Sequence, residues 1–293
     1  MSVVFAPDIQ SFFPPRPPKA RYGDDIFLKG NNGRVLLLIH GLTGTPNELR
    51  ALAGFFNRKG YTVLCPRLAN HGASIHTLKF THWQDFYGSV RDAYLGLLKQ
   101  YPSDEIFVSG LSMGAVLSLL LADEFSNRIK AVSCLAPTLF YDGWNTNSLS
   151  FLLPVVYHLP LRYMFFFKEE MPYGVKNKAI QERAHSHYAH AALDDTNGVA
   201  DNGYAHFPVA LLAELHLMVK HLTPRLSKIS MPVQLIHAKD DDVASIGNST
   251  FIYSRVRSQN KELIFLYNSY HIITADQERG LVSEKMEAFF NKA

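Results

Sequence analysis

The chain has 293 residues, 47% hydrophobic and 19% charged, which is the composition of a folded globular protein rather than a disordered one. Lys and Arg total 29 against 26 for Asp and Glu, so the net charge is +3 without a basic run, and nucleic-acid binding has no support. The two cysteines, Cys65 and Cys134, give no disulfide framework and the N-terminus does not resemble a secretory signal, so we expect a reducing, cytoplasmic location.

The predicted elements begin with an extended N-terminal arm over residues 1–22, which contains a proline-rich run at 12–18. Apolar runs typical of buried parallel strands follow at Arg34–His40, Tyr61–Cys65, Glu105–Ser109, Lys130–Leu135, Val233–His237 and Glu262–Leu266. Helical patterns alternate with them at 46–59, 83–100, 112–125, 245–257 and 277–291. This alternation predicts an α/β fold, with a mostly parallel sheet covered by helices on both faces.

The alternation is interrupted between Leu135 and Pro232, a gap too long for a single crossover. We therefore predict an inserted, mainly helical cap over residues 139–227. One catalytic domain, formed by residues 23–138 and 228–293, would flank it.

An apolar run at residues 149–167 is the most unusual part of the predicted cap. It is almost as apolar as a membrane span, but Pro154 and Pro160 interrupt it, which argues against a transmembrane helix. Two compatible interpretations stay open: short helices packed on the catalytic domain, or a lipid-facing lid in transient contact with a membrane surface. The side chains expected to roof a substrate pocket are Phe140, Trp144, Phe151, Tyr163 and Phe166.

The segment from Glu105 to Asp123 is typical of a nucleophile elbow, because a strand, a Gly-x-Ser-x-Gly turn and a helix follow one another without a break. Gly110 and Gly114 occupy the positions where a side chain would collide with the neighbouring strand or helix. An ordinary tight turn is the alternative. The apolar strand and the apolar helix on either side favour Ser112 as a catalytic nucleophile.

A serine hydroxyl needs a base to remove its proton, and enzymes with this elbow carry the acid and the histidine on loops after late strands, in that chain order. The run Asp240–Asp242 follows one such strand, and His271 follows the next. We expect His271 to be the base and Asp241 the acid that orients it. The two other aspartates of the run would cap a helix or stay solvated, and Asp142 is the less favoured alternative acid.

The other histidines are expected to be structural or exposed. His237 lies within a buried strand run and is interpreted as a hydrogen-bonded core residue. The cluster of His185, His187 and His190 does not place all three rings on one helical face, so we predict no metal site. No cofactor is predicted either.

The loop His40–Pro46 follows the first central strand, where hydrolases with this elbow carry part of their oxyanion hole. Two backbone amides must stabilise the oxyanion that forms when a serine attacks a carbonyl. We expect one to be that of Met113, directly after the nucleophile, and the other to be that of Leu42. An ordinary tight turn is again the alternative interpretation of the loop.

Taken together, four runs of the sequence resemble bacterial carboxylesterases and monoacylglycerol lipases of the α/β-hydrolase superfamily. They are His40–Pro46, Gly60–Gly72, Gly110–Gly114 and Tyr270–Glu278. The resemblance implies an α/β-hydrolase fold and a Ser-His-Asp triad that works through an acyl-enzyme. It also implies that Asp241 is the acid, at the end of a turn in which Ala238 replaces the family's glycine, and that His71 belongs to a structural loop.

These features predict a carboxylesterase- or lipase-like serine hydrolase that acts on small-molecule acyl esters and prefers medium-chain acyl esters or monoacylglycerols. An acyl-thioesterase or an acyltransferase is the alternative enzyme. A ligand-binding protein on an inactive hydrolase fold is the alternative from another class. The oligomeric state is not predicted.

Overall fold

The computed structural model describes residues 3–5, 25–146, 156–157, 159–188 and 203–293. Its strands, in chain order, are β1 (Val3–Phe5), β2 (Ile26–Leu28), β3 (Arg34–Ile39), β4 (Thr62–Cys65), β5 (Glu105–Leu111), β6 (Ile129–Leu135), β7 (Phe165–Lys168), β8 (His206–Pro208), β9 (Val233–Ala238) and β10 (Lys261–Leu266). Its α-helices are α1 (Arg50–Arg58), α2 (Ile75–Leu78), α3 (Trp83–Gln100), α4 (Met113–Glu124), α5 (Lys178–Tyr188), α6 (Val209–Leu222), α7 (Gly247–Arg255) and α8 (Arg279–Phe290).

Seven strands form the central sheet in the order β10-β9-β6-β5-β3-β4-β2. Six of them are parallel, and the six predicted strand runs correspond to them. The edge strand β2 pairs antiparallel with β4 and was not predicted, because a three-residue strand shows too little alternation to stand out from a loop. The predicted α/β fold with a mostly parallel sheet is confirmed.

Helices cover both faces of this sheet, because alternate residues of each central strand point to opposite sides. In β3, Val35 and Leu37 pack with α3 and α4, whereas Leu36 and Leu38 pack with α1 and α8. Helix α4 is apolar around its whole circumference and is buried from Met113 to Ala122. The predicted nucleophile elbow is therefore followed by a fully buried helix.

The chain between β6 and β9 contains β7, β8, α5 and α6. Strands β1, β7 and β8 form a separate three-stranded antiparallel sheet, in which Val4 pairs with Phe166 and Phe167 pairs with Phe207. Residues 3–5 of the predicted arm thus form its first strand. Helix α6 lies within the predicted cap range, yet its Leu215 packs into the core beside α4. In the described ranges, no helix is long and apolar enough to span a membrane.

Candidate active site

Ser112 occupies the turn between β5 and α4 with φ 57° and ψ −117°, a backbone conformation that a serine rarely adopts. The flanking glycines make this turn possible. A Cβ at Gly110 would collide with the backbone of Gly114, and a Cβ at Gly114 would collide with the carbonyl of Ile39. The sequence thus forces the Ser112 side chain to stand at the carboxyl edge of the sheet, just before the first turn of α4.

The loops after β9 and β10 bring a carboxylate and an imidazole together at the same edge. His271 Nδ1 donates to Asp241, with 2.8 Å to Oδ2 and 3.1 Å to Oδ1. Both side chains are buried. Asp241 Oδ1 also accepts the backbone amides of Val243 and Ala244, each at 2.8 Å. These bonds fix the carboxylate and leave His271 Nε2 available to a substrate or a nucleophile.

Charge and burial act in opposite directions on this pair. Burial by itself would raise the pKa of Asp241, but the imidazoles of His271 and His237 hold that pKa well below its usual range. Burial would lower the pKa of His271, but the Asp241 carboxylate outweighs it, and the pKa of His271 lies above its ordinary value. Asp241 is therefore ionised at neutral pH, and it favours the protonated form of His271.

His237 is a buried histidine beside this pair, as its predicted core position requires. Its Nδ1 lies 2.7 Å from Ser249 Oγ, and its Nε2 lies 2.8 Å from the carbonyl of Ala244. The Nε2 atom is also 3.2 Å from Asp241 Oδ2. His237 and His271 thus both lie next to Oδ2 of Asp241.

Ser112 and His271 both line one cavity of about 350 Å³. In the part of the chain that the structure describes, Ser112 Oγ bonds to Thr138 Oγ1 at 3.0 Å and makes no hydrogen bond to His271. Catalytic hydrogen bonds are often long in ligand-free enzymes and shorten when substrate binds. A rotation of the serine side chain from Thr138 toward the imidazole is the change that this geometry requires.

The loop Gly41–Thr45 borders the serine and carries the predicted amide of Leu42. A Cβ at Gly41 would lie 3.6 Å from Ser112 Cβ, so the loop runs directly beside the nucleophile. His71 Nε2 donates to the Leu42 carbonyl at 2.8 Å, and burial lowers the pKa of His71 to about 4, so this ring is neutral. The Leu42 amide has no acceptor among the described residues, and Met113 begins α4, where amides lack intrahelical acceptors.

The cavity has an apolar wall with two acidic side chains set into it. The apolar lining includes Leu111, Val175, Ile180, Phe207, Leu212 and Leu215. Glu48 and Glu169 also line the cavity, and their enclosure raises the pKa of each to about 7. Glu48 accepts the amide of Gly41. Sequence reasoning missed both acids: Glu48 lies only seven residues after Gly41 but carries no motif that marks it, and Glu169 comes from a distant segment of the chain.

The predicted cap aromatics lie away from this cavity, which corrects the expected lining. Phe140 packs edge-on against Phe251 and is 43% exposed. Trp144 is 58% exposed and donates from Nε1 to the carbonyl of Asp240. Each of these side chains finds its partner on the catalytic domain outside the cavity.

The remaining predicted aromatics give the same result where they are described. Tyr163 stacks on Phe80, with ring centroids 5.1 Å apart. Phe166 is fully buried in β7, and Lys79 lies against its ring. Phe151 lies outside the described residues. The cap lines the cavity instead through residues of α5 and α6 and the segment before α5.

A family model and two related sequences agree on the kind of protein that this chain resembles. The chain matches the family described as serine aminopeptidase, S33, over residues 30–278. It is 30% identical over 270 residues to a thermostable monoacylglycerol lipase of Bacillus sp. (strain H-257), covering 92% of this chain and 95% of that protein. It is 26% identical over 264 residues to a carboxylesterase of Bacillus subtilis (strain 168), covering 90% and 94%.

Solved structures resemble the chain over nearly its whole length. One, presented with the metagenome-derived lipolytic enzymes LipS and LipT, gives a TM-score of 0.74 at 25% identity and covers 93% of this chain and 98% of its own. A soluble variant of the Saccharomyces cerevisiae monoglyceride lipase, in complex with a substrate analog, gives a TM-score of 0.73 at 15% identity, with coverage of 99% and 98%. At 15% identity this second likeness concerns the fold alone.

Proposed function

From the premise that the chain belongs to the serine aminopeptidase S33 family of α/β-hydrolases, we propose that it is a serine esterase in which Ser112, His271 and Asp241 form the catalytic triad. Because its relatives include a monoacylglycerol lipase and a carboxylesterase, the chain is a lipase- or esterase-like hydrolase. The observation that carries the triad is the cavity shared by Ser112 and His271, with the Asp241 carboxylate 2.8 Å behind the imidazole.

In the first half of the reaction, Ser112 Oγ attacks the ester carbonyl carbon while His271 Nε2 takes the serine proton. Asp241 stabilises the imidazolium that results. The carbonyl oxygen, now negative, accepts hydrogen bonds from the amides of Leu42 and Met113, each worth about 2.7–4 kcal/mol to the transition state. His271 then returns the proton to the leaving alcohol, and the carbonyl carbon stays bonded to Ser112 as an acyl-enzyme.

In the second half, water replaces the alcohol. His271 removes a proton from water, the hydroxide attacks the acyl carbon, and the same two amides hold the oxyanion. Collapse of this intermediate breaks the bond to Ser112, whose oxygen regains the proton from His271. The carboxylic acid product is released and the enzyme returns to its starting state.

The cavity favours an apolar acyl group, and medium-chain esters or monoacylglycerols are the proposed substrates. Each methylene transferred from water to an apolar wall contributes about 0.8 kcal/mol, close to a fourfold preference per carbon until the space is filled. Glu48 and Glu169 share the cavity lining with Arg183, so the preference for esters over thioesters is proposed from the named relatives rather than from the charge of the cavity.

The test is a substrate series with wild-type enzyme and Ser112→Ala. We expect kcat/KM on p-nitrophenyl esters to rise with acyl length from two carbons, and monoacylglycerols to be cleaved. Matched thioesters and aminoacyl anilides should react more slowly. Ser112→Ala should reduce kcat by a factor on the order of 10⁶ while remaining folded. Faster turnover of thioesters would favour a thioesterase, faster turnover of anilides would favour a peptidase, and near-normal turnover by Ser112→Ala would reject the mechanism.

A further inference from the structure

Asp276 is a fully buried carboxylate outside the proposed triad that accepts four backbone amides. Its Oδ2 atom accepts from Lys176 N at 2.7 Å and from Tyr270 N at 2.8 Å. Its Oδ1 atom accepts from Gln277 N at 2.8 Å and from Asn177 N at 3.0 Å. Such a set of donors suits an ionised carboxylate, which offers acceptors only.

These four amides belong to two different parts of the molecule. Tyr270 directly precedes His271, whereas Lys176 and Asn177 directly precede helix α5 of the cap. The side chain of Asn177 also accepts the amide of Ala179 in the first turn of that helix. One carboxylate thus joins the base of the proposed triad to the start of a cap helix.

Helix α5 forms part of the cavity wall through Ile180, Arg183, Ala184 and Tyr188. A second set of hydrogen bonds links the same two segments. Gly174 accepts the amide of Ile272 at 2.7 Å and donates to Asp242 Oδ2 at 3.2 Å. Asp242 Oδ1 in turn accepts the amide of His271 at 3.2 Å. The wall that contacts the acyl group and the loop that carries the base are therefore one connected unit.

Glu278 provides a natural comparison, because it supports the same loop without reaching the cap. Its Oε2 atom accepts from Asn268 N at 2.7 Å and from Ser269 Oγ at 2.8 Å. Its Oε1 atom accepts from Tyr267 N at 3.4 Å. All three donors precede His271 on the loop after β10, and none belongs to the segment before α5.

We propose that Asp276 is a positioning residue that sets the place of His271 and the place of the α5 cavity wall together, and so couples turnover to acyl-chain selectivity. The inference rests on the proposed esterase function. In Asp276→Asn, an amide group that can only donate replaces one oxygen and faces two backbone amides, so one pair of bonds is lost and unsatisfied donors remain buried. Glu278→Gln disturbs the His271 loop alone.

The test compares kcat and KM of wild type, Asp276→Asn and Glu278→Gln on p-nitrophenyl esters of increasing acyl length. Misplacement of a catalytic group by 1 Å can cost about 100-fold in rate, so we expect Asp276→Asn to lose roughly 10- to 100-fold in kcat on the shortest ester. It should also flatten the increase of kcat/KM with chain length. Glu278→Gln should lower kcat by one common factor and keep the wild-type chain-length profile.

Amide hydrogen exchange measures the same coupling without turnover. Asp276→Asn should speed exchange in segments 174–188 and 267–275 alike, whereas Glu278→Gln should speed it in 267–275 alone. Should Asp276→Asn fail to fold, Lys176→Pro removes one cap-side donor, and Lys176→Ala controls for the side-chain contacts that both variants lose, with Asp240 and with the carbonyl of Tyr267. Of the two Lys176 variants, only Lys176→Pro should change the chain-length profile.

An Asp276→Asn enzyme with the wild-type chain-length profile and wild-type exchange in 174–188 would overturn the inference. An inactive wild-type enzyme would instead count against the proposed function, since the exchange result stands independently of catalysis.

Discussion

Two sides of the cavity are held in place by different means. We call the side with Ser112 and His271, supported by Asp241, the catalytic wall, and the side formed by α5 the cap wall. On the catalytic wall, Ser112 is fixed by backbone sterics, and Asp241 by two backbone amides and two imidazoles. On the cap wall, the hydrogen bonds of Asp276 and Gly174 connect the start of α5 to the loop that carries His271. The difference implies that changes in the catalytic wall alter the rate for every substrate, whereas changes in the cap wall alter which substrates react best.

The largest effect that would sharpen this comparison is expected from Asp241→Asn. Loss of the acid that orients a catalytic histidine costs about 10⁴-fold in kcat in a serine protease, and a similar loss is expected here for all ester lengths. Asp242→Asn should cost less, because Asp242 accepts the backbone amides of His271 and Gly174 and makes no hydrogen bond to the imidazole. Asp240→Asn should be nearly neutral, because Asp240 forms an exposed ion pair with Lys176.

Steady-state kinetics of the three variants on one ester would measure this order. Equal losses in all three would contradict the assignment of Asp241 and would break the distinction between a rigid catalytic wall and its surroundings.

The next largest effect is expected on the cap wall, where Ile180→Trp should shorten the preferred acyl chain. The larger side chain would fill space in the cavity, and each methylene excluded would cost about fourfold in kcat/KM. Trp144→Ala is the matched control, since Trp144 lies outside the cavity. Kinetics on esters of two to twelve carbons separate the two variants. A change in chain-length preference in Trp144→Ala would restore the original expectation for that residue.

The pH dependence of kcat/KM tests the electrostatics of the catalytic wall. His271 must be neutral to act as a base, and Asp241 raises its pKa above the usual value of about 6.5. Activity should therefore rise with pH to a midpoint above 6.5. In Asp241→Asn the largest upward influence on the pKa of His271 is lost, and burial is opposed only by the smaller effects of Asp242 and Glu48, so the midpoint of the residual activity should move down. A midpoint that did not move would show that the carboxylate does not act on the base.

The smallest expected effect is on the stability of the fold, and it comes from Glu169, which lines the cavity. Enclosure and the nearby charge of Asp242 raise the pKa of Glu169 from 4.5 to about 7, so the folded state retains a proton that the unfolded state loses. Stability should therefore fall as pH rises from about 4.5 to about 7, with the cost fully present above that range. Glu169→Gln should raise Tm by a few degrees at pH 8 and leave it unchanged at pH 4. Equal Tm values at pH 8 would contradict the shift.

The catalytic wall was largely predictable from sequence because its geometry is encoded locally. Gly110 and Gly114 are required by contacts within a single turn, and the apolar strand and helix around them mark the elbow. The positions of Asp241 and His271 followed from chain order after two buried strands. In each case a short stretch of sequence carries the steric or topological reason for the position.

The cap wall was not predictable in this way, because its contacts join distant parts of the chain. Phe166 turns away from the cavity in β7, which pairs with Val3–Phe5 at the start of the chain and with His206–Pro208 far beyond it. The sequence pattern places helix α6 in the predicted insertion, yet its Leu215 packs beside α4. Apolar character showed that these residues would be buried, but not against which partner.

Covalent labelling with a fluorophosphonate tests the central claim most directly, because it requires an activated serine but no particular acyl chain. Mass spectrometry of the labelled wild-type protein should place the adduct on Ser112, and the labelling rate should rise with pH to the same midpoint as ester hydrolysis. Ser112→Ala should remain unlabelled. An adduct on another residue, or labelling of Ser112→Ala at the wild-type rate, would contradict the account.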